Sequence, residues 1–261
     1  MNLTQVLKYI NYRLTAFTEH DIHSPFLYDF YMELIRNEHP YQDFEELDKL
    51  RKKLLADTTL IEVSDFGAGS KKLASNKRSI QQIAKHGIAQ KKQAEFLYRL
   101  LNKFSPKTIV ELGTSLGLTS MYLSKAVPKS TIYTIEGCPN LFSFSNVIFK
   151  KERVNNIKSH QGNFNDVLPE LLKNLDTLDC LYIDGNHSYE PTMHYFELAL
   201  AKKNANSIFI FDDINWSEGM QKAWKEIVAN TEVKLSLDFF HFGIVFFRTE
   251  NKAKEHFVLR F

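Results

Sequence analysis

The chain predicts an α/β fold: a doubly wound, mostly parallel seven-stranded sheet carrying a helical N-terminal extension. Three observations predict it. Apolar strand-like runs alternate with helix-period segments from residue 89 onward, which is the pattern of parallel sheets with crossover helices. The run Thr108-Ile-Val-Glu-Leu breaks into Gly113-Thr-Ser-Leu-Gly117 and then into a helix-period segment. A second strand, Thr131-Ile-Tyr-Thr-Ile-Glu136, ends in an acid about 20 residues past that glycine turn, where a ribose-binding carboxylate belongs in a doubly wound nucleotide fold.

In chain order, residues 1–57 read as helices. Val6, Leu7, Ile10 and Leu14 share one helical face, and Leu27, Phe30, Tyr31, Leu34 and Ile35 share another after Ser24-Pro25. A third helix begins at Asp43, whose side chain can cap while Glu46 closes a capping box, with Leu47, Leu50 and Leu54 buried. His20, Asp21 and His23 match no metal-ligand spacing and read as turn chemistry.

A second glycine loop, Asp65-Phe-Gly67-Ala-Gly69-Ser70, competes for the nucleotide role. No helix, strand and terminal acid follow it; the chain instead supplies Lys71, Lys72, Lys77, Arg78, Lys85, Lys91 and Lys92. The basic run is read either as a solvated loop and helix face or as a lid over residues 58–88.

The remainder begins with a helix at 89–104, closed by Ser105-Pro106. After the second strand come a helix from Pro139, a strand near 157–160, a helix over 166–175, a strand at 178–183, a helix from about Pro191 and a strand at 207–211. Ser217 caps a helix carrying Met220, Trp224, Ile227 and Val228, and a hairpin of 233–239 with 242–247 closes the chain. Expected domains are therefore 1–88 and 89–261.

Composition bounds the function. A net charge of +2 with 25% charged residues gives no global polyelectrolyte character, so nucleic acid is an unfavoured partner. Two cysteines, no secretory leader and no apolar run long enough for a membrane helix predict a cytoplasmic protein without membrane contact.

The strand at 178–183 ends in Asp184, and the strand at 207–211 ends in Asp212-Asp213. In a doubly wound sheet these ends are neighbours, so the carboxylates crowd one crevice and call for a proton or a cation. Oxygen-only ligands suit Mg²⁺, for which Asp184, Asp212 and Asp213 are the candidate ligands. The plainer reading makes the aspartates helix caps, a role Ser188 and Ser217 are better placed to take. His187 can accept a proton near neutral pH.

From about Ala89 onward the chain resembles the class I S-adenosylmethionine-dependent methyltransferases. Val110-Glu-Leu-Gly-Thr-Ser-Leu-Gly117 is similar to their first motif and Ile135-Glu136 to the acidic end of their second strand. Tyr182-Ile-Asp-Gly-Asn-His-Ser-Tyr-Glu190 with Phe211-Asp-Asp213 resembles the metal-assisted O-methyltransferases of the catechol type and their antibiotic-sugar relatives. The resemblance implies a Rossmann-like methyltransferase fold with Glu111, Gly113, Thr114, Ser115, Gly117, Glu136 and Asp184 lining the cofactor pocket. It also implies that Gly162 and Asn163 edge the adenine, where relatives often carry Asp. Asp184 and His187 would be catalytic; a lysine stands at the latter position in catechol-type relatives, so His187 is closer to the sugar-modifying branch.

The expected activity is Mg²⁺-assisted O-methylation of a small hydroxylated molecule, with homodimerisation as an open expectation. The alternatives are an RNA or protein methyltransferase using residues 71–92, and a cofactor-binding protein without turnover. A nicotinamide-dependent oxidoreductase ranks below these because the loop lacks the Gly-x-Gly-x-x-Gly arrangement.

Overall fold

In a computed structural model, the described residues are 3–37, 39–64, 77–250 and 253–261. Gly67, Gly69, Lys71 and Lys72, the rival loop and the start of the basic run, lie outside them. The elements are α1 (Leu3–Thr15), α2 (Pro25–Phe30) running into a π-helical turn (Tyr31–Ile35), α3 (Asp43–Ala56), β1 (Leu60–Glu62), β2 (Lys77–Ser79), α4 (Ile80–His86), α5 (Lys91–Phe104) and β3 (Thr108–Leu112). They continue with α6 (Leu118–Ala126), β4 (Thr131–Glu136), α7 (Pro139–Lys151), β5 (Ile157–Gln161), α8 (Phe164–Lys173), β6 (Leu178–Ile183) and α9 (Tyr189–Leu200). The last are β7 (Lys203–Asp212), α10 (Glu218–Ala229), β8 (Leu235–Asp238), β9 (Phe242–Phe246) and β10 (Glu255–Val258).

Two compact units result, residues 38–175 and residues 1–37 with 176–261. The first 88 residues are thus divided: α1 and α2 belong with the C-terminal strands, whereas α3, β1, β2 and α4 belong with β3 to β5.

In the unit 38–175, β3, β4 and β5 are parallel, with β4 central. Ile109, Val110, Leu112, Ile132 and Ile135 are fully buried, as expected for strands covered on both faces. Helix α3 buries Phe44, Leu47, Leu50 and Leu54. Its predicted capping box is absent: Gln42 occupies the N-cap, and Asp43 instead accepts from the Tyr98 hydroxyl at 2.7 Å and pairs with Lys125 at 3.4 Å. A tertiary partner has taken the side chain that the local pattern assigned to the helix end.

In the other unit the order is β6, β7, β9, β8, β10: β6 and β7 are parallel, β9 is antiparallel to both β7 and β8, and β10 runs parallel to β8. The predicted hairpin is present. Strand β10 was not predicted, and with it the two units hold eight strands besides the β1–β2 pair among the described residues. Helix α1 buries Tyr12 and Ala16 against Phe240. Its periodic apolar stripe faces outward instead, with Ile10 48% and Leu14 80% exposed. The tyrosine face wins because Tyr12 also has chain-end partners: its hydroxyl donates to Leu259 O at 2.7 Å and accepts from Phe261 N at 2.9 Å.

Candidate functional site

The glycine loop between β3 and α6 is built by backbone geometry. Gly113, Ser115 and Gly117 all have positive φ (104°, 49° and 80°), and Gly117 N donates to Thr114 O at 2.8 Å to close the turn. A Cβ on Gly117 would stand 2.8 Å from the Phe149 ring and 3.0 Å from Ser145, so no side chain fits there. The close approach of α7 to the turn thus requires a glycine where α6 begins.

Glu136, at the end of β4, sits against that loop. Its Oε2 accepts from Ser115 N at 2.7 Å and its Oε1 from Cys138 N at 2.8 Å. Burial pushes its carboxyl above the ordinary carboxylate range, and the amides of Cys138, Ser115 and Gly137 oppose that shift. An oriented carboxylate beside a glycine turn fits a nucleoside with ribose hydroxyls. Gly162 N donates to the Glu136 backbone oxygen at 3.0 Å, which brings the next strand's turn to the same place.

Two predicted cofactor residues face elsewhere. Glu111 is fully buried; its Oε2 accepts from Ser120 Oγ and, at 2.6 Å, from Thr134 Oγ1, while Oε1 has no partner among the described residues. Burial raises its pKa to about 7. Thr114, also buried, shares a 2.5 Å hydroxyl contact with Thr134. These side chains form a buried hydroxyl–carboxyl network beneath the loop. Asn163 caps α8, accepting from Asn165 N at 2.9 Å.

The acidic group lies in the other unit. Pairing of Ile183 with Phe211 sets the ends of β6 and β7 side by side. The Tyr182 hydroxyl lies 2.9 Å from Asp212 Oδ2 and 3.2 Å from Asp184 Oδ2, and Asp213 N donates to Asp212 Oδ1 at 2.9 Å. His187 Nε2 is 3.7 Å from both Asp184 Oδ1 and Asp213 Oδ2, and its buried Nδ1 has no partner among the described residues. Burial, then the neighbouring Asp212, raises the Asp213 pKa to about 6, against the pull of His187. Asn186 and Asp213 hold φ of 53° and 54°, the left-handed region that non-glycine residues enter at a cost.

The four predicted residues therefore meet, but not as the expected Mg²⁺ cage. Tyr182 stands between Asp184 and Asp212, and His187 between Asp184 and Asp213; among the described residues no three His, Cys, Asp or Glu side chains converge as a metal site. The cap assignments also divide. Ser217 caps α10, accepting from Met220 N at 3.1 Å, whereas Ser188 Oγ turns back to Asn186. Tyr182 was missed. Its signal was spacing: two residues before Asp184 on a strand, it shares that residue's face.

A family model described as a methyltransferase domain matches residues 110–214. A catechol O-methyltransferase from Niastella koreensis is 26% identical over 125 residues, which is 47% of this chain and 56% of the relative. The chain thus spans little more than half of that relative's length. Among solved structures, the O-methyltransferase TomG from Streptomyces achromogenes, involved in tomaymycin synthesis and in complex with SAM, matches with a TM-score of 0.56 at 19% identity. That match covers 62% of this chain and 82% of TomG. An O-methyltransferase from Bacillus cereus in complex with SAH matches with a TM-score of 0.56 at 16% identity, covering 84% of this chain and 96% of that one. The family model thus likens residues 110–214 to a methyltransferase domain, and the fold is the Rossmann-like α/β fold shared with class I O-methyltransferases.

Proposed function

We propose that the protein transfers a methyl group from S-adenosylmethionine to a hydroxyl of a small molecule. The observation that carries the reading is Glu136, held by the backbone amides of Ser115 and Cys138 beside the glycine turn, an arrangement suited to a ribose diol. The donor's sulfonium, when bound, supplies an activated methyl group and its own leaving group.

The protein's remaining tasks are alignment and removal of the acceptor's proton. His187 is suited to take that proton through Nε2, because Asp184 and Asp213 flank that nitrogen at 3.7 Å and favour the imidazolium that forms. Tyr182 holds Asp184 and Asp212 in place by its hydroxyl. Mg²⁺ would lower the acceptor's pKa directly, but in this arrangement the carboxylates do not form its cage.

A small acceptor is supported by the likeness to the Niastella koreensis catechol O-methyltransferase. The nucleic-acid alternative draws less support, since Lys91 of the basic run pairs with Asp48 and with Glu95. No helix among the described residues is long and apolar enough to cross a membrane, and Cys138 and Cys180 are buried free thiols, in keeping with a reducing cytoplasm.

Calorimetry with S-adenosylhomocysteine tests the donor assignment, and absence of binding rejects it. A panel of phenolic and sugar hydroxyl acceptors with radiolabelled donor tests the transfer. Repeating the active reaction in a chelator decides the metal question: activity that collapses and returns with Mg²⁺ would show that the carboxylates rearrange around an ion.

A further inference from the structure

Backbone amides of Ser115, Gly137 and Cys138 hold the Glu136 carboxylate, and Cys138 is touched by an N-terminal piece of chain. Cys138 Sγ accepts from Ser64 N at 3.3 Å and lies 3.8 Å from Glu62 O. Asn140 Nδ2 donates to that same Glu62 O at 2.8 Å. Gly87, which ends α4, lies near the glycine loop, since a Cβ added to it would stand 3.7 Å from Ser115 Oγ.

These contact points belong to one connected piece. β1 pairs with β2 from Leu60↔Ser79 to Glu62↔Lys77. Ser79 then opens α4 through a capping box with Gln82. Ile80 N donates to Thr59 O at 3.0 Å and Gln81 N to Asp57 O at 2.7 Å, which tie the helix start to the chain entering β1. α4 is anchored by buried Ile80, Ile83 and Ala84. β1 has no comparable anchor: it is three residues long and Leu60 is 66% exposed. A short exposed strand cannot be placed by apolar burial, so polar contacts to Cys138 and Asn140 give it its position.

We propose that residues 57–64, tied to 77–87, form a clamp on the Cys138 side of the Glu136 carboxylate, with Cys138 and Asn140 as its positioning residues. The proposal rests on the reading of Glu136 as the acceptor of the cofactor's ribose hydroxyls. A carboxylate bound from both sides by backbone donors has its direction set by those donors; a loose Ser115 or Cys138 lets the carboxylate swing, and the ribose must then reorder it on binding. The segment that matched no family pattern in the sequence thereby acts on cofactor affinity without touching the cofactor through the residues named.

The test compares the full-length wild type with Asn140→Ala, Cys138→Ala and Cys138→Ser by calorimetry, using S-adenosylhomocysteine and its 2′-deoxy and 3′-deoxy ribose analogues. Asn140→Ala and Cys138→Ala are expected to weaken S-adenosylhomocysteine by about three- to tenfold, the equivalent of one ordinary hydrogen bond. Cys138→Ser keeps an acceptor for Ser64 N and retains the affinity. The loss shrinks for the deoxy analogues, which offer Glu136 less to bind. Unchanged affinity in both alanine variants overturns the clamp, as does an equal loss for all three ligands, which is the signature of general loosening. If the wild type binds S-adenosylhomocysteine and the variants match it, the clamp alone falls; if the wild type does not bind, the cofactor reading falls and takes the clamp with it.

Discussion

Glu111→Gln reports on the buried network beneath the glycine loop. Glu111 is fully buried and its carboxyl is shifted from an ordinary 4.5 to about 7, chiefly by burial. The folded state thus holds this proton more tightly than the unfolded state does. Between pH 4.5 and about 7 the unfolded chain has released it while the folded one has not, so stability falls as pH rises across that window. At about 1.4 kcal/mol per pH unit the full cost is about 3 kcal/mol, reached just above pH 7. In a chain of this size that is about 6–12 °C in melting temperature. Glutamine keeps the shape, places an oxygen before Ser120 and Thr134, and cannot ionise. The assay is thermal unfolding of wild type and Glu111→Gln at half-unit steps from pH 4.5 to 8. The expected result is a melting temperature difference that moves in favour of the variant as pH rises and levels off above about pH 7. A difference independent of pH would mean that Glu111 does not titrate in this window and would refute the account of the network.

Four further outcomes follow from the geometry. Glu136→Gln replaces one of two carboxylate acceptors by an amide donor, facing either Ser115 N or Cys138 N; S-adenosylhomocysteine affinity should fall by about tenfold or more in calorimetry, and affinity within twofold of wild type contradicts the ribose assignment. His187→Ala should lower kcat by about 10²–10⁴ while leaving S-adenosylhomocysteine binding intact, and turnover near the wild-type level would remove His187 from proton transfer. Tyr12→Phe leaves the Leu259 carbonyl and the Phe261 amide without their partner and should cost about 1–3 kcal/mol in urea unfolding. Leu14→Ser, on the outward stripe of α1, should stay within about 0.5 kcal/mol; a larger loss would mean that the stripe is covered.

The order of strands and helices from β3 to β9 was legible in the chain because each of those elements carries its own period and its own punctuation. The same holds for the glycine turn at 113–117 and for Glu136, since positive φ and a strand-ending acid are demands that a local sequence displays. Asp184, His187, Asp212 and Asp213 were legible as a group because parallel neighbours bring consecutive strand ends together.

What the tertiary structure alone decided concerns partners distant in the chain. Glu111 and Thr114 turn inward because Ser120 and Thr134 wait there, and no spacing rule sees a hydroxyl 20 residues away. Strand β10 exists only because β8 presents an open edge to a short segment with little pattern of its own. Helix α1 buries Tyr12 rather than its aliphatic stripe because the chain terminus, nearly 250 positions on, supplies the hydrogen bonds. The sequence determined which segments could be strands, turns and acids; the tertiary structure chose which face of each was used, because burial and hydrogen-bond satisfaction are settled by neighbours in space.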